Sequence, residues 1–238
     1  MDPSQWVDGK VFQGNVPEVD SRCVLSGSLI SAFHQVCRTA RDQMAAPWRS
    51  LLMKSLETNK HLPNAKFMQL ATVRPDGRPS VRTVVFRGFH NESDQITFTT
   101  DTRTYKVEDI RQHPWTEICW YFPETREQFR LGGNLEVVGE DHPDKSLLQA
   151  RQEAWDGMSR NGRAWFAWPP SGRARDPDPA EFEKPVPDRG EPALPSFALA
   201  IMDVDTVDYI RLPDFRLGYS SSVGSDGSRS WSQQELNP

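Results

Sequence analysis

The sequence predicts a single antiparallel β-barrel domain of the α+β type, and three observations predict it. Short runs of alternating apolar residues follow one another from Lys66 to Trp231. Helical patterns are inserted among them, and no internal repeat breaks the array. Between the first two runs stands Arg74-Pro75-Asp76-Gly77, a hairpin turn in which Pro presets one dihedral and Gly supplies a positive φ.

Residues 1–43 carry scattered polar residues and one modest helical pattern, Leu29, Ile30, Phe33, Val36 and Cys37, and read as a weakly ordered extension before a domain spanning 44–238. Pro47 suits a first helical turn, and Trp48, Leu51, Leu52, Ser55 and Leu56 recur at helical spacing up to Asn59. Lys66–Val73 and Pro79–Phe89 are the hairpin strands; in the second, Val81, Thr83 and Val85 form one face and Val84 and Phe86 the other. Gln95–Thr100 adds a strand. Asp101 or Thr102 can then cap a short helix carrying Val107 and Ile110, with Pro114 just past its end. Strands are expected at Thr116–Phe122 and Glu127–Val138, a helix from about Pro143 to Ser159, and a short turn at Arg163–Trp168. The six prolines between 171 and 196 stand among charges and predict a mobile loop. Phe197–Val204, Val207–Leu212, Arg216–Ser220 and Arg229–Trp231 complete the strands.

Composition narrows the function. With 28 Lys+Arg against 33 Asp+Glu the formal charge is −5, so any basic surface is local and a protein that coats nucleic acid is not expected. No apolar run approaches the roughly 20 residues that cross a bilayer. Cys23, Cys37 and Cys119 form no CxxC pair and leave an odd thiol, which suggests neither disulfides nor a zinc ribbon. His34, His61, His90, His113 and His142 lack metal-ligand spacing, so no metal is expected. Asp2, Asp8, Glu18 and Asp20 do not suit an organellar transit peptide, and a cytoplasmic location is the expectation.

Four segments concentrate cations and hydroxyls. Arg82-Thr83-Val84-Val85-Phe86-Arg87 places two arginines on opposite faces or at opposite ends of one strand; alone, it equally describes an edge strand with solvated arginines. Phe98–Lys106 runs from a strand end into a helix start, where Thr99, Thr100, Thr104, Arg103 and Lys106 together suit a phosphate monoester. A solvated first turn is the alternative, but it would carry acidic residues rather than two cations. Glu127–Gly133 offers Gln128 and Arg130 on a strand. Asp214–Tyr219 offers Arg216 where a turn enters a strand.

The order and spacing of these segments resemble the pyridoxamine 5′-phosphate oxidase family of FMN-binding split β-barrels. The phrases RTVVFRGF, CWYF and EQFR most resemble its divergent plant and cyanobacterial branch of pyridoxine/pyridoxamine phosphate oxidase-like proteins, over about Ala45 to Pro238. The resemblance implies that Arg82 and Lys106 hold the FMN phosphate, helped by Thr99, Thr100, Thr104 and Arg103. Thr83 would help bind the cofactor, the backbone of Val84 and Val85 would line the isoalloxazine, and Gln128 would approach it. Arg87 stands where relatives have a lysine touching flavin and substrate, and Arg216 where an arginine orients the substrate; both would be catalytic. Arg163 could bind a substrate anion.

The implied activity is oxidation of pyridoxamine or pyridoxine 5′-phosphate to pyridoxal 5′-phosphate with oxygen as acceptor. A homodimer with FMN at the interface is implied as well, the phosphorylated B6 vitamer being the small-molecule partner. One departure opens an alternative. The family's Arg-x-His appears here as Arg216-Leu217-Gly218, so an FMN-binding split barrel without B6 oxidase activity, a sensor or a carrier is the second reading.

Overall fold

The Pro75-Asp76-Gly77 turn closes as its chemistry requires. Gly77 lies at φ 80° and donates its N–H to the Arg74 carbonyl at 2.9 Å, so β1 (Phe67–Val73) and β2 (Pro79–Phe89) pair antiparallel from Val73↔Pro79 to Phe67↔Val85. The structure, a computed structural model, describes residues 45–238. The expected extension 1–43, with its helical pattern at Leu29 to Cys37, lies outside the described residues.

Beyond the hairpin come β3 (Ile96–Asp101), β4 (Trp115–Phe122), β5 (Glu127–Val138), β6 (Phe197–Arg211), β7 (Phe215–Val223) and β8 (Arg229–Glu235). The strand order is β3-β2-β1-β4-β5-β6-β7-β8, and a further β3–β6 pairing closes the first six into an antiparallel barrel. The helices are α1 (Pro47–Asn59), α2 (Tyr105–Gln112), α3 (Lys145–Asp156) and α4 (Arg160–Ala164). The α+β split barrel is therefore the observed fold.

Strand β6 does the splitting. Its first half, Phe197 to Met202, pairs with β3, and its second half, Thr206 to Arg211, pairs with β7. Gly132 faces Thr206 and Gly133 faces Val204, so Asp205 is an extra residue, a bulge that bends the strand out of the barrel. This corrects the expectation of two strands at 197–204 and 207–212. A one-residue bulge breaks the period-2 pattern without ending the strand.

Met68, Leu70, Phe98, Ile118, Trp120, Phe129 and Leu131 are fully buried inside the barrel. Trp48, Leu52 and Leu56 of α1 join that core, with Trp48 edge-on to Trp231 at 6.0 Å between ring centroids. Leu199 and Ile201 face outward from β6 and pack beneath Leu147, Ala150 and Ala154 of α3. The carboxylate of Asp144 caps α3 by accepting from the amides of Ser146 and Leu147.

The cap expected for α2 is not the one observed. Thr104 takes the N-cap position, its hydroxyl donating back to the Asp101 carbonyl at 2.7 Å, while the Asp101 carboxylate is taken by Arg103. The proline-rich segment 171–196 carries no strand and lies against α3. Gln152 Nε2 donates to the Glu191 carbonyl at 2.8 Å, and Arg151 Nη2 donates to the Leu194 carbonyl at 2.6 Å.

The bulge generates a stability prediction. A Cβ on Gly133 would lie 2.0 Å from the Asp203 carbonyl oxygen, a backbone atom that cannot swing aside. Gly133→Ala should cost at least ~1–3 kcal/mol through overpacking. Gly77→Ala, which meets nothing within 4 Å, should cost only the ~1–2 kcal/mol of a left-handed alanine. The urea midpoints of the two variants, compared with the parent, check this order.

Candidate functional site

Strand alternation divides the candidate residues between two places. Arg82 shares its face of β2 with Val84 and Phe86, which are 7% and 6% exposed and belong to the barrel core. Its guanidinium therefore stays at the rim of the interior, where β1 and α2 meet it. Arg82 Nη1 donates to Thr72 Oγ1 at 2.7 Å and to the Leu70 carbonyl at 3.3 Å, and Nη2 donates to Ser80 Oγ at 2.8 Å. Asp109 of α2, 3% exposed, accepts from Thr72 Oγ1 at 2.8 Å and lies 3.5 Å from Arg82 Nη2.

Lys106, one turn earlier on α2, completes the cluster. Its ammonium donates to Thr100 Oγ1 at 3.1 Å and to Thr104 Oγ1 at 3.0 Å. Burial, and then the charge of Arg82, push the Lys106 pKa below its ordinary value, while Asp101 and Asp109 pull the other way. Burial also lowers the pKa of Arg82, and Asp109 opposes it. Two partly desolvated cations thus stand close enough to repel, ringed by the hydroxyls of Ser80, Thr100 and Thr104. A phosphate monoester relieves that repulsion and accepts from both, so the residues fit the phosphate of a flavin mononucleotide.

The other candidates face outward. Thr83 pairs with Gln69, and Cys119 of β4, which pairs with Gln69 on its other side, also pairs with Arg130; Arg130 pairs with Asp208, and Asp208 with Gly218. One row along, Val85 pairs with Phe67, Tyr121 with Gln128, Gln128 with Ile210 and Ile210 with Arg216. Gln128 Oε1 lies 3.6 Å from Cys119 Sγ. Arg216 is clamped: Nε and Nη2 donate to the two Asp208 carboxylate oxygens at 2.9 and 2.7 Å, and this pairing raises its pKa. Asp208 lies 3.8 Å from Arg130, which in turn bonds Glu117 at 2.8 Å. Arg87, on the same outward face, behaves differently. It lines a cavity of about 280 Å³ shared with Ala150, Glu153 and Gly157 of the α3 side, where burial lowers its pKa.

Two candidates are placed elsewhere. Arg103 is folded onto Asp101, with bonds of 2.6 to 3.2 Å, and onto the Phe166 carbonyl at 3.2 Å. Arg163 is 3% exposed and stands 5.7 Å above the Trp155 ring in a separate core of Trp155, Met158, Phe166 and Phe197. Thr99 pairs with Leu199 in the β3–β6 seam, on the strand face opposite Thr100. Sequence reasoning missed Thr72, Ser80 and Asp109. Asp109 could have been found, since it follows Lys106 by three residues on a helix and so shares its face.

The cluster predicts how its members answer substitution. Lys106→Ala should weaken FMN binding about ten- to a hundredfold, the ~1.5–3 kcal/mol of a charge-assisted hydrogen bond. Arg82→Ala should weaken it as much and also lower stability, because Asp109 is left buried beside Thr72 without its cation. FMN fluorescence titration and urea denaturation separate the two effects. Because Lys106 is depressed in the free protein, FMN affinity should fall as pH rises from neutrality toward ~10.4, the ordinary lysine value, through loss of the ammonium. That slope should be absent in Lys106→Met.

Comparison with known proteins gives the family. Residues 45–139 match the family model described as pyridoxamine 5′-phosphate oxidase, FMN-binding domain. The chain is 38% identical over 194 residues to pyridoxine/pyridoxamine 5′-phosphate oxidase 2 of Arabidopsis thaliana, covering 81% of this chain and 98% of that protein. A crystal structure of a pyridoxamine 5′-phosphate oxidase-related, FMN-binding protein from Nostoc punctiforme superposes with a TM-score of 0.76 at 42% identity, over 81% of this chain and 98% of that one. PhzG from Burkholderia lata shares the fold, with a TM-score of 0.65 at 20% identity. With the barrel, the cationic rim and these relatives in hand, the chain belongs to the pyridoxamine 5′-phosphate oxidase family of FMN-binding split barrels.

Proposed function

We propose that this protein is an FMN-dependent oxidase that converts pyridoxamine or pyridoxine 5′-phosphate to pyridoxal 5′-phosphate, with oxygen as the acceptor. The observation that carries the reading is Arg87. Among the described residues it has no ion pair or hydrogen bond, and it lines the cavity between the end of β2 and the α3 side, two residues along the strand from Val85. An uncommitted guanidinium beside a planar cofactor would serve an anionic or electron-rich substrate.

FMN, when bound, supplies the acceptor for a hydride from the 4′ carbon and is reoxidised by oxygen. The chain's own residues bind and orient. Arg82 and Lys106, with Thr100 and Thr104, hold the phosphate. Gln128 offers its amide to the ring edge. Arg87 would favour negative charge on a reduced flavin, and Arg216, fixed in one orientation by Asp208, would align the substrate.

A homodimer belongs to the same proposal. Phe67, Val81, Trp115 and Tyr121 stand 43–64% exposed on the outward face of β1, β2 and β4, beside the expected flavin position. A second copy covering that face would bury these side chains and supply the second wall of the cofactor site.

One observation favours the second reading, an FMN-binding protein without B6 oxidase activity. A Cβ on Gly218 would lie 3.0 Å from Leu236 Cδ1, so the space of the family's histidine is already filled by a leucine. Gly218→His would have to displace Leu236.

Reconstitution with FMN followed by either vitamer under air tests the proposal, and pyridoxal 5′-phosphate with peroxide is the expected product. A flavin-loaded protein that forms neither, and whose flavin is not bleached by substrate without oxygen, overturns it in favour of the second reading. Arg216→Ala should keep bound FMN and lose about ten- to a hundredfold in turnover, the worth of one charged hydrogen bond.

A further inference from the structure

Behind α2 the chain builds a second cavity that the cofactor and substrate readings leave unused. It has a volume of about 500 Å³, within the range that holds small aromatic ligands, and its walls come from 165–182 together with Asp101. Trp165, Trp168 and Phe182 line it, in a chain of ring contacts with centroids 6.3 and 5.8 Å apart. Trp165 is 66% exposed although it is a large apolar side chain. A tryptophan that only packed would be covered; this one leaves much of its side chain accessible to a ligand.

Two guanidiniums line the same cavity, each already oriented by a ring. Arg173 lies 4.4 Å from the Tyr105 centroid and donates to its hydroxyl at 2.6 Å, and Arg175 lies 4.7 Å from the Phe182 centroid. Among the described residues neither has a carboxylate within ion-pair distance. The acids nearby are committed: Asp101 is held by Arg103 through 2.6–3.2 Å bonds, and Asp176 accepts from the Asp178 amide at 3.0 Å.

We propose that this cavity binds a planar aromatic acid. Its ring stacks on Trp165 and its carboxylate or phosphate is taken by Arg173 and Arg175, apart from the Arg82–Lys106 cluster. Stacking supplies the apolar part of recognition, and a pre-oriented guanidinium pair supplies the selection for an anion. Tyr105 precedes Lys106 on α2, so the occupant sits within one helical turn of the cofactor's phosphate site. The proposal stands whichever substrate the flavin oxidises.

The test uses the full chain loaded with FMN and calorimetric titration of three probes of one shape: 2-naphthoate, 2-naphthyl phosphate and neutral 2-naphthol. At least one anion should bind with a Kd below about 1 mM, and 2-naphthol at least tenfold more weakly. The carboxylate and phosphate arms distinguish an aromatic acid from an aromatic phosphoester as the natural class. Trp165→Ala and Arg175→Ala, both changes at exposed side chains, should each weaken binding about tenfold while the flavin absorbance is kept. Equal binding of the neutral probe, unchanged binding by both variants, or binding seen only after FMN is removed would overturn the assignment.

Discussion

The pairing of β3 with β6 is the constraint on which the rest of the molecule depends. Six consecutive partners, from Ile96↔Met202 to Asp101↔Phe197, turn an open sheet into a closed barrel and remove both edges of its first six strands. They also fix where β3 ends, and α2 begins four residues later. Helix α2 therefore packs across the rim near β1, burying Val107 and Ile110, and its Lys106 meets Thr100 while its Asp109 meets Thr72 and Arg82. Without closure these groups belong to separate segments of the chain. With it they converge on one cationic pocket.

That pocket mixes two kinds of stabilisation. Arg82 satisfies a buried carboxylate and two hydroxyls, which ties it to folding, while Lys106 bonds only hydroxyls and stays electrostatically unsatisfied. Burial is costly for both cations, and a phosphate compensates it. An Asp109–Arg82 pair with an unpaired lysine beside it leaves the cluster one positive charge in excess, suited to an anion yet tolerable in the free protein.

The outward face follows a different logic. Glu117, Arg130, Asp208 and Arg216 alternate in sign across four strands, so Arg216 is held rigidly rather than left in solvent. Arg87, the extra residue of the β2–β3 bulge between Phe86 and Gly88, has no such partner among the described residues. One arginine is pre-oriented and the other is free to answer a ligand, a division of labour that the oxidase reading uses directly.

Much of this was legible in the sequence, for a local reason. The Pro-Asp-Gly turn, the alternation of Val81 to Phe86 and the Pro47 helix are decided by neighbours within a few residues, and the motif spacing from Arg82 to Arg216 carried the family and its cofactor. What the tertiary structure alone decided is long-range. Asp205 joined two expected strands into one because a bulge depends on the partner strand, Gly132 and Gly133, and not on the bulged segment. Arg103 reached the Phe166 carbonyl and Arg163 a tryptophan core because a guanidinium takes whichever acceptor or ring the fold brings within reach. The pairing of Asp109 with Arg82, 27 residues away, and of Arg173 with Tyr105, 68 residues away, has no periodicity to announce it. Side-chain partners at that separation are chosen by barrel closure and packing, which no local pattern encodes.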